Sequence, residues 1–261
     1  MLNEKSGLPW SREELILAFN LYCKTPFTRI HFRNKGVIEL AGMIGRSPSS
    51  VALKLVNFAS LDPALAARHI AGMRHHSKSD EMIWKEFRAD WETATYESER
   101  VLAVRKNIRP EALVDVDEGE LPKEGKERDA IIKARVNQLF FRQTVLASYG
   151  GSCCITGIGI PELLVASHIV PCAIDRKNRV NPCNGLCLNP LHDRAFDAGL
   201  MTITRDFRVK LSRRIAGADA ATQQLLMPFE GHSIRLPQRF TPGREFIEYH
   251  NRNIFLDSIA D

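Results

Sequence analysis

The sequence predicts an α+β protein, in which an all-helical N-terminal domain precedes a domain built on a strand-strand-helix frame. Apolar residues recur at helical spacing through much of residues 11–107. The segments ELLVASHIV (162–170) and NGLCL (184–188) are rich in residue types typical of strands, and a short helical stretch opens at Asn189-Pro190. With 44% hydrophobic residues over 261 positions, the chain can bury a substantial core.

The N-terminal part is predicted to start with a helix over residues 11–23, where Ser11 can cap and Glu13 and Glu14 suit the positive helix end. A turn-rich basic patch follows the helix. Its basic residues are Arg29, His31, Arg33 and Lys35.

The segment VIELAGMIG-RSPSSVALKLVNF predicts a helix, a tight turn and a second helix, because Gly45 can end the first helix and Ser47 with Pro48 can start the second. This spacing resembles a helix-turn-helix, in which the second helix would contact DNA. In that helix the apolar positions predicted to point inward are Val51, Leu55 and Phe58, and the polar positions that could contact DNA are Ser50, Lys54 and Asn57. The alternative is an ordinary antiparallel helix pair whose polar face is solvated.

Residues 80–107 predict one long charged helix that packs against the N-terminal block. The chain then becomes acidic, with eight acidic against three basic residues over 111–130, and it contains Pro122 and two glycines. We therefore predict a helical, DNA-recognition domain over 1–109, a mobile acidic linker over 110–129 and a second domain over 130–261.

The net charge of +5 is distributed as two basic blocks on either side of this acidic joint. Basic surfaces bind phosphate backbones more tightly through counterion release. Ordinary surface charge would give the same net charge in each block. Residues 130–149 predict another helix, with Arg135, Gln138 and Arg142 on one face. These side chains could hold a DNA backbone, or they could form surface salt bridges.

Three residues of the strand-strand-helix frame carry the strongest functional signal. His168 ends the first predicted strand, Asn184 opens the second, and His192 lies in the first turn of the following helix. The order His, Asn, His within SHIVP…NGLCL…LHDRAFDAGL resembles the HNH nucleases, in particular bacterial stand-alone or restriction-type members. The resemblance covers roughly residues 131–255 and implies a ββα-metal nuclease domain.

The resemblance implies a role for each residue of the motif. His168 would deprotonate the attacking water, and the side-chain carbonyl of Asn184 would fix the orientation of its imidazole. His192 would bind a divalent metal ion. The positive helix end favours a neutral imidazole there and an ionised Asp193 beside it.

One position departs from the family pattern, because many members place an aspartate directly before the base histidine, where this chain has Ser167. The second metal ligand is then supplied by waters and phosphate, by Asp193 or by Asp175. Asp197 is expected to brace Arg194 or the loop. Mg²⁺ is the expected ion because it retains several waters, and Mn²⁺, Ni²⁺ or Zn²⁺ are alternatives.

A structural zinc is not expected. Many HNH proteins hold zinc with two Cys-x-x-Cys pairs, but here Thr156 stands where the partner of Cys153 is expected. Cys183 and Cys187 would be about 13 Å apart along a strand, too far to share one zinc ion.

The sequence therefore predicts a metal-dependent endonuclease of restriction or phage-defence type that acts on double-stranded DNA as a homodimer. The alternatives are a DNA-binding protein with an inactive HNH site and a nuclease acting on RNA or structured DNA. The sequence shows neither a signal-peptide layout nor an apolar run of membrane-spanning length, so we expect a cytoplasmic protein without a membrane partner.

Overall fold

The computed structural model describes residues 5, 7–68, 76–114, 122 and 124–257. The N-terminal helices are α1 (Arg12–Lys24), α2 (Lys35–Ile44), α3 (Pro48–Ala59), α4 (Pro63–Ala67), α5 (Lys78–Ala89) and α6 (Trp91–Arg105). The elements that follow are α7 (Lys126–Ser148), β1 (Val165–His168), β2 (Gly185–Leu188), α8 (Pro190–Asp197), β3 (Met201–Ile203), β4 (Val209–Leu211), α9 (Arg213–Ala216), α10 (Ala220–Leu226) and α11 (Arg244–Asn253). The predicted mixed helix and strand composition is confirmed.

The predicted helix ends in the first sixty residues are confirmed by their caps. Ser11 and Glu14 form a capping box at the start of α1. Gly45 ends α2 with a φ of 71°, a left-handed conformation that glycine adopts without strain. Ser47 caps α3, with Pro48 in its first turn. A tight turn therefore joins α2 and α3 as predicted, whereas reading of DNA by α3 stays a prediction.

The prediction of a single helix over 80–107 is wrong, because the helix is interrupted at Asp90. The backbone N–H of Asp90 closes α5 on the carbonyl of Glu86, and its side chain accepts from the N–H of Thr93 at the start of α6. Aspartate competes with the helix backbone for hydrogen bonds and is a good N-cap, so one residue ends one helix and starts the next. The break lets α5 and α6 fold against each other and against α1.

An aromatic cluster fills the N-terminal core. Phe19 of α1 is fully buried and contacts the rings of Phe58, Trp84 and Phe87 at centroid distances of 4.4 to 5.6 Å. The inward positions predicted for α3 are confirmed, since Val51, Leu55 and Phe58 are all fully buried.

The second core surrounds two short antiparallel ladders, β1–β2 and β3–β4. The β3–β4 hairpin follows the HNH-like motif, α8 confirms the helix predicted after Asn189, and α11 lies near the end of the chain. Cys183 differs from expectation, because it lies in the 3-10 turn Pro182–Asn184 and not on a strand.

Helix α7 joins the two cores. Its neighbouring residues Phe140 and Phe141 enter the first and the second core respectively. From the other direction, the buried guanidinium of Arg239 donates to the carbonyls of Tyr22, Cys23 and Thr25 at the C-terminal end of α1. The N-terminal helices and the strand-bearing part are therefore in extensive contact, and their division into domains at 1–109 and 130–261 stays a prediction.

The predicted acidic linker is only partly described. Residues Pro110–Leu113 form a 3-10 turn, and α7 already begins at Lys126. Residues 115–121 and 123 lie outside the described residues. Within the described part of the chain, no helix is both long and apolar enough to cross a membrane.

Candidate active site

The β1–β2 pair places His168 at a fixed point on the protein. His168 is the last residue of β1 and lies opposite Gly185, the first residue of β2. A Cβ at Gly185 would lie 2.5 Å from Cγ2 of Val145 on α7, so glycine is needed for the strand to approach the helix this closely. The strand pair and α7 together form a rigid support for the imidazole.

The environment of His168 defines its tautomer. Its ring stacks on Phe141 at a centroid distance of 4.0 Å, and its Nε2 lies 2.9 Å from the carbonyl oxygen of Arg179. The Sγ of Cys172 is also 3.3 Å from Nε2, but sulfur is only a weak hydrogen-bonding atom. Because a carbonyl oxygen can only accept, the neutral imidazole carries its proton on Nε2 and its lone pair on Nδ1.

Burial favours this neutral form of His168. It lowers the pKa of the imidazole, while the Arg179 carbonyl and the negative charge of Asp193 act in the opposite direction. The result is an imidazole that is uncharged at neutral pH and has a lone pair on Nδ1. Such a group can accept a proton from water.

Asn184 acts on the backbone and not on the imidazole. Its Oδ1 accepts from the N–H of Val170 at 2.8 Å, and its Nδ2 donates to the carbonyls of Val170 at 3.0 Å and Asn178 at 3.4 Å. The predicted hydrogen bond from the Asn184 carbonyl to the imidazole of His168 is therefore wrong. Asn184 instead clamps the loop 169–183, and this loop supplies the Arg179 carbonyl to His168.

The Arg179 side chain anchors the same loop to the N-terminal helices. Its Nε and Nη2 donate to the two carboxylate oxygens of Glu92 on α6 at 3.0 and 2.6 Å. Glu92 also pairs with Lys133 of α7 at 3.1 Å. A two-pronged ion pair restricts both the distance and the orientation of the guanidinium, so α6 helps to fix the backbone of Arg179.

His192 is not in the cavity that contains His168. Asn189 caps α8 by accepting from the N–H of His192, and the amide of Asn189 lies 3.2 Å from Nδ1 of the same residue. The imidazole is 1% exposed and packs edge-on against Phe229. Helix α8 thus points this side chain into the protein and away from the cavity of His168, and binding of a metal ion by His192 stays a prediction.

Cys153 is the neighbour of His192 on that inner side. Cys153 is fully buried, and burial raises the pKa of its thiol, but the polar side chains of His192 and Thr156 and nearby backbone N–H groups lower that pKa to about 6. The Nε2 of His192 is buried without a hydrogen-bond partner among the described residues.

Two carboxylates of α8 face the cavity of His168. Asp193 and Asp197 lie one turn apart on α8, and both line a cavity of about 460 Å³ together with His168 and Ser167. Burial and the neighbouring charge of Asp193 raise the pKa of Asp197. The positive charge of Arg194 acts in the opposite direction on the same pKa, and the expectation that Asp197 braces Arg194 stays a prediction. Asp175 is used elsewhere, since its carboxylate accepts from Asn178 in the loop.

The described residues contain no group of three or more His, Cys, Asp or Glu side chains arranged to hold a metal ion. The two carboxylates are nevertheless suitable for a hard divalent ion, because Mg²⁺ commonly takes one or two carboxylates and completes its shell with waters and phosphate oxygens. The Oγ of Ser167 is buried at the same cavity without a hydrogen-bond partner among the described residues. The cavity therefore offers negative charge and an unsatisfied polar atom to a ligand.

His250 also lines this cavity, but both of its ring nitrogens are engaged. Nδ1 lies 2.8 Å from Oγ1 of Thr202, and Nε2 lies 3.2 Å from the carbonyl oxygen of Phe196. Burial lowers the pKa of His250 to about 4. His250 therefore connects α11 to β3 and α8 as a neutral side chain.

The residues predicted to contact nucleic acid have different environments. Lys54 is buried and pairs with Asp80 of α5 at 2.7 Å, so the prediction that it lies on a DNA-facing surface is wrong. Arg142 donates to the carbonyls of Leu164 and Pro161 and thereby secures the approach to β1. The remaining positions are Arg135 and Gln138, which are exposed on α7, and Asn57, which is half-buried on α3.

Several contributors to the site were not predicted from the sequence. Arg179 acts on His168 through a backbone carbonyl, and such groups have no sequence signature. Phe141 was recognised only as part of a helix. Glu92 lies 87 positions before Arg179, and only the folded chain brings them together.

The comparison with protein families agrees with the geometry of the β1–β2–α8 unit. Residues 153–204 match the profile of the family described as HNH endonuclease, and this segment contains His168, Asn184, Asp193 and Asp197. No curated protein matched the chain. HNH nucleases generally use a divalent metal ion and act on DNA. The chain therefore carries an HNH endonuclease domain, and its residues 153–204 belong to the HNH endonuclease family.

Proposed function

We propose that the protein is a metal-dependent endonuclease that hydrolyses phosphodiester bonds of double-stranded DNA in a restriction or phage-defence role. The observation that carries the proposal is the pairing of His168 with Asp193 and Asp197 around one cavity, within the segment that matches the HNH family. A neutral base and a pair of carboxylates that can hold a metal ion are groups that serve hydrolysis of a phosphodiester.

His168 is the general base. Its Nε2–H is held by the Arg179 carbonyl, which leaves Nδ1 to take a proton from the attacking water. The resulting imidazolium is stabilised by the negative charge of nearby Asp193. Water attacks phosphorus in line with the bond to the 3′ oxygen, which leaves as a 3′-hydroxyl and gives a 5′-phosphate on the other product.

Asp193 and Asp197 would hold the divalent ion, with Mg²⁺ as the first candidate and Mn²⁺, Ni²⁺ or Zn²⁺ as alternatives. When bound, the ion supplies positive charge to the scissile phosphate and to the leaving oxygen. The carboxylates themselves place negative charge near the imidazolium that forms on His168. Their spacing of one helical turn lets both face the same cavity.

The target strand would be held by basic and polar side chains around the site. Arg135 and Gln138 on α7 are exposed and could contact phosphates, and Asn57 on α3 is a further candidate. Arg142 contributes by fixing the chain before β1. One site per chain cuts one strand at a time, so cleavage of both strands favours a homodimer.

Incubation of a supercoiled plasmid with the protein and Mg²⁺ or Mn²⁺ tests the proposal. We expect nicked and linear products that are absent when the ions are chelated. No cleavage despite retained DNA binding would instead support a DNA-binding protein with an inactive HNH site. A parallel incubation with structured RNA and structured DNA identifies the preferred substrate, and preferential cleavage of RNA would contradict the proposed substrate.

A further inference from the structure

A short basic loop between α1 and α2 displays an exposed aromatic side chain. The loop spans residues 27–35, and we call it the Phe32 loop. Phe32 is 51% exposed, and no other aromatic side chain of the described residues is exposed. A single exposed apolar side chain is common on protein surfaces, so the ring of Phe32 is informative only together with the cations around it. One of them, Arg33, lies 5.4 Å from the centroid of the ring.

The Phe32 loop is strongly basic. Its exposed cations are Arg29, Arg33 and Lys35, and His31 lies among them. The sequence contains no aspartate or glutamate from residue 15 to residue 38. Glu39, the first acidic residue after the loop, is already paired at 2.9 Å with Lys106, which follows the last residue of α6. The loop thus presents positive charge that its own segment does not neutralise.

Local hydrogen bonds give the Phe32 loop a defined shape. Asn34 caps α2 by accepting from the N–H groups of Gly36 and Val37, and its Nδ2 donates to the carbonyl of Arg29 at 3.0 Å. The backbone N–H of Asn34 also donates to the carbonyl of His31 at 2.9 Å. Because Asn34 ties both ends of the turn together, Phe32 and Arg33 are presented at its tip without a large cost of ordering on binding.

The residues that flank the Phe32 loop lie beside α7. Gly36 and Lys24 share a surface groove of about 260 Å³ with Leu139 and Gln143 of α7. The neighbouring residue Arg142 holds the segment that enters β1, and β1 ends at His168. Helix α7 therefore contacts both the residues that flank the Phe32 loop and the segment that leads to His168.

We propose that the Phe32 loop binds duplex DNA, with Arg29, Arg33 and Lys35 on phosphates and the ring of Phe32 inserted against a base step. Cations that flank an apolar wedge are a combination suited to the charged backbone and the stacked bases of a duplex. This inference rests on the proposed function, since it assigns a second contact for the same DNA substrate. The loop binds and positions the duplex, and His168 remains the catalytic residue.

Binding is measured separately from cleavage by placing every variant in a His168→Ala background. Anisotropy of a labelled 30-bp duplex gives Kd over a range of salt concentrations, and a duplex with 2-aminopurine reports unstacking of bases. We expect Phe32→Ala to raise Kd about tenfold, within the range measured for loss of one base–aromatic contact, and to abolish the 2-aminopurine signal. Phe32→Leu should weaken binding less, because it retains an apolar wedge.

Removal of one loop cation should change the salt dependence of binding. Arg29→Ala, Arg33→Ala or Lys35→Ala is expected to reduce the slope of log K against log salt by about 0.9 for each lost phosphate contact. The matched controls are Met82→Ala, which removes another exposed apolar side chain, and Lys85→Ala, which removes an exposed cation of α5. Both controls should bind like the background protein, and circular dichroism confirms that all variants are folded.

The outcomes separate this inference from the proposed function. Unchanged Kd, slope and 2-aminopurine signal in the loop variants would overturn the inference, even if the wild-type protein cleaves DNA. Preferential binding of an RNA stem through the loop would overturn the assignment of duplex DNA. Loop-dependent DNA binding without cleavage by the wild type would support the inference and contradict the proposed function.

Discussion

The phase of a single helix decides which side chains of α8 face the cavity of His168. His192 and Asp193 are neighbours in α8, so their side chains differ in direction by about 100°. The caps at Asn189 turn His192 towards Phe229 and Cys153, whereas Asp193 and Asp197 share the side that faces His168. Of the two residues that the sequence proposed as metal ligands, Asp193 lines the cavity and His192 does not.

Substitution of the two carboxylates tests this assignment without a cleavage assay. Binding of Mn²⁺ can be followed by the loss of the free-ion signal in electron paramagnetic resonance. We expect Asp193→Asn and Asp197→Asn each to weaken Mn²⁺ binding at least tenfold, because a neutral amide removes one charged oxygen ligand. Asp206→Asn, an exposed position in the β3–β4 turn, is the matched control. Wild-type affinity in both aspartate variants, or loss of Mn²⁺ binding in His192→Gln alone, would contradict the assignment.

At the scale of elements, the sequence predicted most boundaries because short local signals set them. Ser11, Gly45 and Ser47 cap or end helices through hydrogen bonds and backbone conformations that are encoded within a few residues. The break at Asp90 was missed because helical periodicity continues on both sides of it. The loop 169–183 could not be predicted in detail, since its shape depends on the distant carboxylate of Glu92.

The packing of α11 predicts a dependence of stability on pH. Neutral His250 binds a proton only when the pH falls to about 4, whereas the imidazole of the unfolded chain takes one up near 6.5. Between these values the unfolded state binds more protons, so acid favours unfolding and stability rises with pH. The titration of His250 should therefore lower the free energy of unfolding by about 2 kcal/mol when the pH falls from 7 to 5.

Urea unfolding of wild type and His250→Gln at the two pH values measures this contribution. The variant should have lower stability at pH 7, because its side chain fits the pocket less well, but a smaller loss of stability on going to pH 5. His232→Gln, at an exposed position, should retain the pH dependence of the wild type. An equal loss in wild type and His250→Gln would show that His250 is not the group responsible.

On the scale of the whole molecule, the N-terminal helices form part of the support for the active site. Arg239 reaches from the strand-bearing part into the C-terminal end of α1, and Phe240 joins the aromatic cluster there. In the opposite direction, Glu92 of α6 holds Arg179, whose carbonyl holds His168. The sequence predicted two domains, 1–109 and 130–261, joined by a linker. Composition alone gives no information about the contacts between the two parts.

Glu92→Gln should slow cleavage without weakening DNA binding. Loss of the carboxylate releases the Arg179 guanidinium and loosens the backbone that orients His168. We expect the single-turnover rate to fall about tenfold, which corresponds to about 1.4 kcal/mol of transition-state stabilisation, with Kd for DNA unchanged. Glu97→Gln is the matched control, since Glu97 lies on the same helix and pairs with Arg12 away from the site. Equal rates for both variants would contradict a positioning role for Glu92.

Chemical rescue of the His168→Ala variant tests most directly whether His168 is the general base. Single-turnover cleavage of an end-labelled duplex is compared for wild type, His168→Ala and His232→Ala, with increasing imidazole in the buffer. We expect His168→Ala to be slower by about 10²–10⁴-fold, the range for loss of a general base, and to regain activity with imidazole, while His232→Ala behaves like wild type. Cleavage by His168→Ala at the wild-type rate would contradict the central claim that His168 activates the attacking water.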